Sequence, residues 1–187
     1  RGLAPALQGG LIEPVGPICD CKTGVSGAGK KLNAQFHFPA RYEQMNAYRL
    51  SGHQHVCEVE RELGLLAGRE VRVTFTAQVV PVCRGILSTL YGTLTRPCTE
   101  EEMLAHYRDF YKDSPFVRVY GSQKAIGTMH VRGTNFCNLI VDVDDPDRSS
   151  GVVVRARRRM SPLEFTVRVH RQSSLPKVTA SIHGRTL

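Results

Sequence analysis

Most apolar residues of this chain fall in short runs closed by glycine, proline or aspartate, and few stretches repeat them at helical spacing. Val71, Val73 and Phe75 alternate with Arg72, Thr74 and Thr76, the period-two pattern of a half-buried strand. Val15 to Cys21, Ile86 to Leu94, Phe116 to Tyr120, Thr128 to Arg132 and Phe136 to Asp144 read as further strands. Val152 to Val154 returns after a hairpin loop over residues 144–151. Helical period is confined to three places. Leu3, Ala6, Leu7 and Leu11 read as the last turns of a helix. Val56, Val59 and Leu63 mark a helix introduced by Ser51-Gly52 and stopped by Gly64. Met103, Tyr107 and Phe110 follow a capping box of Thr99 and Glu102. Runs of strands with few helices predict an α+β domain on a largely antiparallel mixed sheet.

At 187 residues, 41% of them hydrophobic and 22% charged, the chain fits one soluble globular domain with an appendage. No apolar run reaches the roughly twenty residues of a membrane span, and no signal peptide is recognisable. Six cysteines in a chain of this size read as reduced, mostly buried thiols, which places the protein in the cytoplasm. Cys19-Asp20-Cys21 has no second pair at ligand spacing, so no metal site is expected. The net charge of +8 is concentrated in residues 152–187, where eight Arg or Lys face only Glu164. The body is nearly neutral, which argues against nucleic acid as its partner. Residues 155–187, beginning near Arg157-Arg158-Arg159, are expected to be a basic, poorly ordered tail on a domain spanning 1–154, apart from a short alternation at Phe165, Val167 and Val169.

Two segments carry chemistry. Lys22 to Lys31 holds glycines at 24, 27 and 29 with Ser26 among them, a composition able to gather backbone amides into a nest for an anionic oxygen. A nucleotide P-loop is excluded, because Lys31 stands where a Ser or Thr must hold Mg²⁺ and no helical period follows. His53, His55 and Glu58 lie at the start of a helix, where imidazoles can move a proton near neutral pH and a carboxylate can orient one of them. The same two histidines would serve equally as capping or packing residues. Arg84, before Gly85 at a strand edge, is a candidate fork for a carboxylate or phosphate.

Several of these segments together resemble the C-terminal half of the N-acetyl-gamma-glutamyl-phosphate reductase family. Gly24 to Lys30 is similar to its glycine loop, and Asn46-Ala47-Tyr48 through His53-Gln54-His55 to Glu58 to its Ala-Tyr, His-Arg-His and Pro-Glu stretch. Pro81-Val82-Cys83-Arg84-Gly85-Ile86 resembles Pro-Met-x-Arg-Gly-Ile, Asp113 to Val117 resembles Glu-Pro-Phe-Val, and Gly133-Thr134-Asn135-Phe136-Cys137 resembles Gly-Ser-Asn-x-Cys. The resemblance covers about residues 3–154. It implies a domain like the second domain of glyceraldehyde-3-phosphate dehydrogenase, with helices on one face of the sheet and a homo-oligomer formed through the sheet. It also implies an NADPH-dependent reductive dephosphorylation of N-acetyl-gamma-glutamyl phosphate, in arginine biosynthesis. By position, His53 is the acid and base with Glu58 as its partner. Ser26, Gly27, Ala28 and Gly29, with His55, line the substrate and nicotinamide end, and Arg84 clamps a carboxylate.

The family's Pro-Gly-Cys-Tyr nucleophile and its Gly-x-Gly-x-x-Gly cofactor domain have no counterpart in this sequence, and nothing after Arg155 resembles the family's final helix. The expected NADP(H) site therefore lies mainly on the missing domain, and the chain alone is expected to be inactive. The alternatives are a non-catalytic dimerisation module and a carrier-linked homologue of lysine biosynthesis.

Overall fold

The computed structural model describes residues 1–143 and the strand at 166–169. Seven strands and four α-helices follow in the order α1 (Ala4–Gln8), β1 (Val15–Thr23), α2 (Phe38–Arg41), β2 (Asn46–Tyr48), α3 (Val56–Ala67), β3 (Arg72–Val79), β4 (Ile86–Gly92), α4 (Glu100–Phe110), β5 (Val117–Gly121), β6 (Cys137–Val141) and β7 (Thr166–Val169). Five of the strands form a mixed sheet in the order β2-β3-β1-β4-β7, and β5 pairs with β6 in a second ladder. β2 runs antiparallel to β3 and β1 antiparallel to β4, while β1 and β3 are parallel, as are β4 and β7. The α+β class with a mixed sheet is as the sequence predicts.

Alternation decides which side of the sheet is covered. Cys19 and Cys21 of β1, Val73 and Phe75 of β3 and Leu90 of β4 join one core with Leu3, Ala6 and Leu7 of α1, Val59 and Leu63 of α3, and Met103 and Tyr107 of α4. The intervening residues point away from these helices: Ile18, Asp20 and Lys22 pair in register with Thr74, Thr76 and Gln78 on one side and with Tyr91, Thr89 and Leu87 on the other. The helices therefore lie on one face, and the other face is open, with Ile18 41% exposed.

Local differences have local reasons. The α3 helix starts at Val56 with His55 as its N-cap, later than Ser51-Gly52 suggests, because Gly52 sits at φ +84° in a turn. It ends at Gly68 in the left-handed conformation rather than at Gly64. Gly64 lies beneath the closing turn, 3.2 Å in Cβ position from the Arg69 carbonyl. Thr99 accepts the Glu102 amide at 3.2 Å as expected, and the Glu102 carboxylate, which accepts in return from the Thr99 backbone amide, also pairs with Arg96. Residues Thr128–Val131, expected as a strand, form a 3₁₀ turn. Of the basic tail, Thr166–Val169 forms β7 at the alternation noted in the sequence; the 144–151 hairpin, the 152–154 return and the other tail residues lie outside the described residues.

Residues 30–50 form an excursion with little packing of its own. Leu32, Phe38, Tyr42, Met45 and Leu50 are all exposed. One buried side chain, Arg41, holds it together, donating from Nε to the Gln35 carbonyl (3.2 Å) and from Nη1 to the Gln44 carbonyl (3.3 Å) and Asn46 Oδ1 (2.8 Å). All six cysteines are free thiols, but only Cys19, Cys21 and Cys137 are buried; Cys57, in the first turn of α3, and Cys83, in the loop after β3, are exposed. Among the described residues no helix is long and apolar enough to cross a membrane.

Candidate active site

β1 delivers the glycine loop at its C-terminal end, directly against the loop that follows β3. The Gly24 amide donates to the Gly85 carbonyl (2.7 Å), Val25 to Val82 (2.9 Å) and Ser26 to Cys83 (3.0 Å). Gly27 and Gly29 donate back to Gly24 and Ser26, at 3.3 Å each. These amides are thus spent on protein carbonyls, which corrects the expectation of an open amide nest: the partner loop, far away in sequence, occupies it. What faces solvent is the Ser26 to Gly29 edge, followed by the exposed Lys30 and Lys31, with exposed Arg84 beside it. Arg84 is paired with no acid among the described residues. Gly29, at φ +78° and ψ −155°, holds a backbone conformation open to glycine alone.

The second group forms on the helix-covered face. His53 sits before α3 with its ring 4.9 Å from Phe75, 5.3 Å from His55 and edge-on to Tyr48 at 5.7 Å. The His55 backbone amide donates to His53 Nδ1 at 3.3 Å. In the neutral ring that contact puts the proton on Nε2. Burial, then the neighbouring His55 and Arg49, push the His53 pKa below its usual 6.5, so the imidazole is neutral at physiological pH. Arg49 is itself held by Gln54 Oε1 at 2.5 Å.

Glu58, expected beside His53, instead places Oε2 3.0 Å from His55 Nδ1. The N-cap and the third helical residue share one face of the turn, and His53 lies outside that register. Nor do the loop and His53 meet directly. His53 packs at the level of Phe75, whereas the loop leaves β1 at Thr23, opposite Val79. Four ladder positions separate those levels, about 13 Å. Tyr48 and Phe75, which fix the His53 ring, were not singled out as site residues from the sequence; Tyr48 stood in the Asn46-Ala47-Tyr48 segment, whereas Phe75 carried no signal beyond strand alternation.

The buried thiols of β1 are unsuited to attack. Burial foremost, with the Cys21 charge adding, raises Cys19 far above the ordinary thiol range, and burial raises Cys21 to about 11 despite the Ser88 hydroxyl donated to its sulfur at 3.2 Å.

A lowered histidine pKa has a defined effect on stability. The unfolded chain takes up a proton at this imidazole near pH 6.5, the folded chain only at lower pH. The His53 contribution is therefore fully present above 6.5 and declines as pH falls from there toward the folded value. His53→Phe keeps the ring on Phe75 and removes the titration. Its urea midpoint is expected to fall less than that of the parent between pH 6.5 and 5, and the parent's His53 NMR titration to have its midpoint below 6.5.

A family model described as the semialdehyde dehydrogenase dimerisation domain matches residues 1–156. The chain belongs to the semialdehyde dehydrogenase family. This semialdehyde dehydrogenase domain is 45% identical over 153 residues to an N-acetyl-gamma-glutamyl-phosphate reductase of Moorella thermoacetica, covering 82% of this chain and 44% of that protein. It is 45% identical over 152 residues to the enzyme of the same name from Pelotomaculum thermopropionicum (81% and 43%), and 39% over 151 residues to that of Staphylococcus saprophyticus (81% and 44%). The chain thus spans less than half the length of these relatives. In fold it is similar to aspartate semialdehyde dehydrogenase II of Vibrio cholerae (TM-score 0.55, 12% identity, 90% of this chain and 53% of that one). A probable aspartate-semialdehyde dehydrogenase of Pseudomonas aeruginosa matches equally well (TM-score 0.55, 12% identity, 89% and 51%).

Proposed function

We propose that this domain is the substrate-binding and dimerisation half of an NADPH-dependent N-acetyl-gamma-glutamyl-phosphate reductase. The observation that carries the reading is the 45% identity to reductases of that name over 82% of the chain. The reaction joins a cysteine thiolate, absent from this half, to the acyl carbon; phosphate leaves, and the resulting thioester is reduced to the semialdehyde. NADPH supplies the hydride when bound, chiefly by the other half.

This chain's residues take the remaining tasks. His53, neutral and with its proton on Nε2, exchanges a proton with the reacting group from that nitrogen, since Nδ1 is occupied by a backbone amide. Glu58 orients His55 beside it. Ser26 to Gly29 line the substrate and nicotinamide end, and Arg84 holds a carboxylate. A second copy packs through the sheet.

The test joins this chain in frame to the cofactor half of the Moorella thermoacetica reductase and follows NADPH oxidation with the acyl phosphate. Turnover is expected, and His53→Asn should lower kcat by about 10²-fold or more. The isolated chain should show none. A folded, NADPH-binding fusion without turnover favours instead a non-catalytic dimerisation module, a reading that the spent amides of the glycine loop support; turnover indifferent to His53→Asn would overturn the role given to His53.

A further inference from the structure

Asp20 and Lys22 stand near the middle of the open face, on the central strand, and each side chain is only 26% exposed. Lys22 Nζ lies 2.5 Å from Asp20 Oδ2, and Gln78 Nε2 donates to Asp20 Oδ1 at 2.6 Å. Both carboxylate oxygens are therefore occupied. The residues beside the pair on the same face, Ile18, Thr76, Leu87 and Thr89, are uncharged. A neutral ion pair ringed by uncharged side chains can be covered without stranding a charge.

We infer that this pair sets the register of a two-fold dimer in which a second copy of the chain covers the open face; the inference rests on the reading above that the sheet carries the dimer. The charge pattern selects the occupant. In a two-fold interface every contact occurs twice with roles exchanged. A plus and a minus two residues apart on one strand are complementary to their own copy when the two β1 strands cross antiparallel, with Lys22 of each copy facing Asp20 of the other. A displaced alignment sets like charges together, which disfavours it. The area reaches the threshold: the three central strands run to roughly 23–30 Å and the two edge strands to roughly 10–13 Å, which at about 4.8 Å spacing gives on the order of 500 Å² per copy, about the 1,000 Å² in total that a biological interface must bury.

The test measures the dimer dissociation constant of the 187-residue chain by sedimentation equilibrium, with folding followed by circular dichroism. Asp20→Asn leaves two unpaired lysines at the interface and should weaken the dimer by about 30-fold or more. Lys22→Met should weaken it comparably, by leaving two unpaired carboxylates. The double variant Asp20→Asn/Lys22→Met removes both charges and should return to within about threefold of the parent. Single variants without effect, or a double variant in which the losses add, overturn the register role. Ile18→Arg separates the two readings. If it dissociates the dimer while Asp20→Asn does not, only the register inference fails; if the dimer survives it, or the parent is a monomer, dimerisation through this face fails as well.

Discussion

Gly24→Ala is expected to lower the unfolding free energy by about 2–3 kcal/mol, seen as a lower urea midpoint at unchanged slope. A Cβ at position 24 would stand 2.9 Å from the Val82 carbonyl oxygen and 3.1 Å from both the nitrogen and Cα of Arg84. All three are backbone atoms and cannot swing aside. The two loops must then part, and the bonds from Gly24, Val25 and Ser26 to Gly85, Val82 and Cys83 part with them. Gly27→Ala is the matched control. Its nearest obstacle is the Thr23 hydroxyl at 3.3 Å, the end of a side chain that can rotate. That variant should lose less than about 1 kcal/mol. Equal losses at 24 and 27 would mean that loop flexibility, rather than the junction with Val82 to Gly85, is what these glycines supply.

The larger effect is expected at Tyr107. This side chain is fully buried between α1 and α4, and its hydroxyl donates to the Gly2 carbonyl at 2.7 Å. Tyr107→Ala should cost about 4 kcal/mol, a value typical of truncating a buried aromatic ring. Tyr107→Phe keeps the ring and leaves one buried carbonyl short of a partner, for about 1–2 kcal/mol. The ratio separates packing from hydrogen bonding. Neighbouring contacts repeat the arrangement, with Tyr111 donating to the Arg1 carbonyl at 2.7 Å and His106 Nε2 lying 2.7 Å from the Pro5 carbonyl. A Phe variant as damaged as the Ala variant would place the stabilisation in the hydroxyl instead.

What could be read from the residues alone follows the range of the interactions. The phase of β3 was legible, since Val73 and Phe75 point to the helices while Thr74 and Thr76 do not, and that phase needs only the strand itself. The helix ends were less so, because Gly52, Gly64 and Gly68 all look like punctuation and only the observed backbone angles distinguish a turn, a packing site and a left-handed cap. Met129 and Val131 alternate as a strand would, but Thr128 beside Gly85 belongs to a 3₁₀ turn.

In the site the division is sharper. That a carboxylate three residues along holds a histidine is local, and it gives Glu58 to His55 rather than to His53, which lies outside that spacing. The consumption of the loop amides by residues 82–85, and the seating of His53 on Phe75, depend on strand order and register, which no single segment encodes.

The Arg41 knot has a consequence for how the surface around β2 behaves. With one guanidinium tethering Gln35, Gln44 and Asn46, the excursion gains its shape from a hub rather than from a core of its own. Sequence drift among its outward residues would leave the backbone path intact, so the apolar tips at Phe38 and Tyr42 can be exchanged independently of the architecture. Such an arrangement leaves the outer surface free to vary on a fixed frame, with a single side chain as the point of failure.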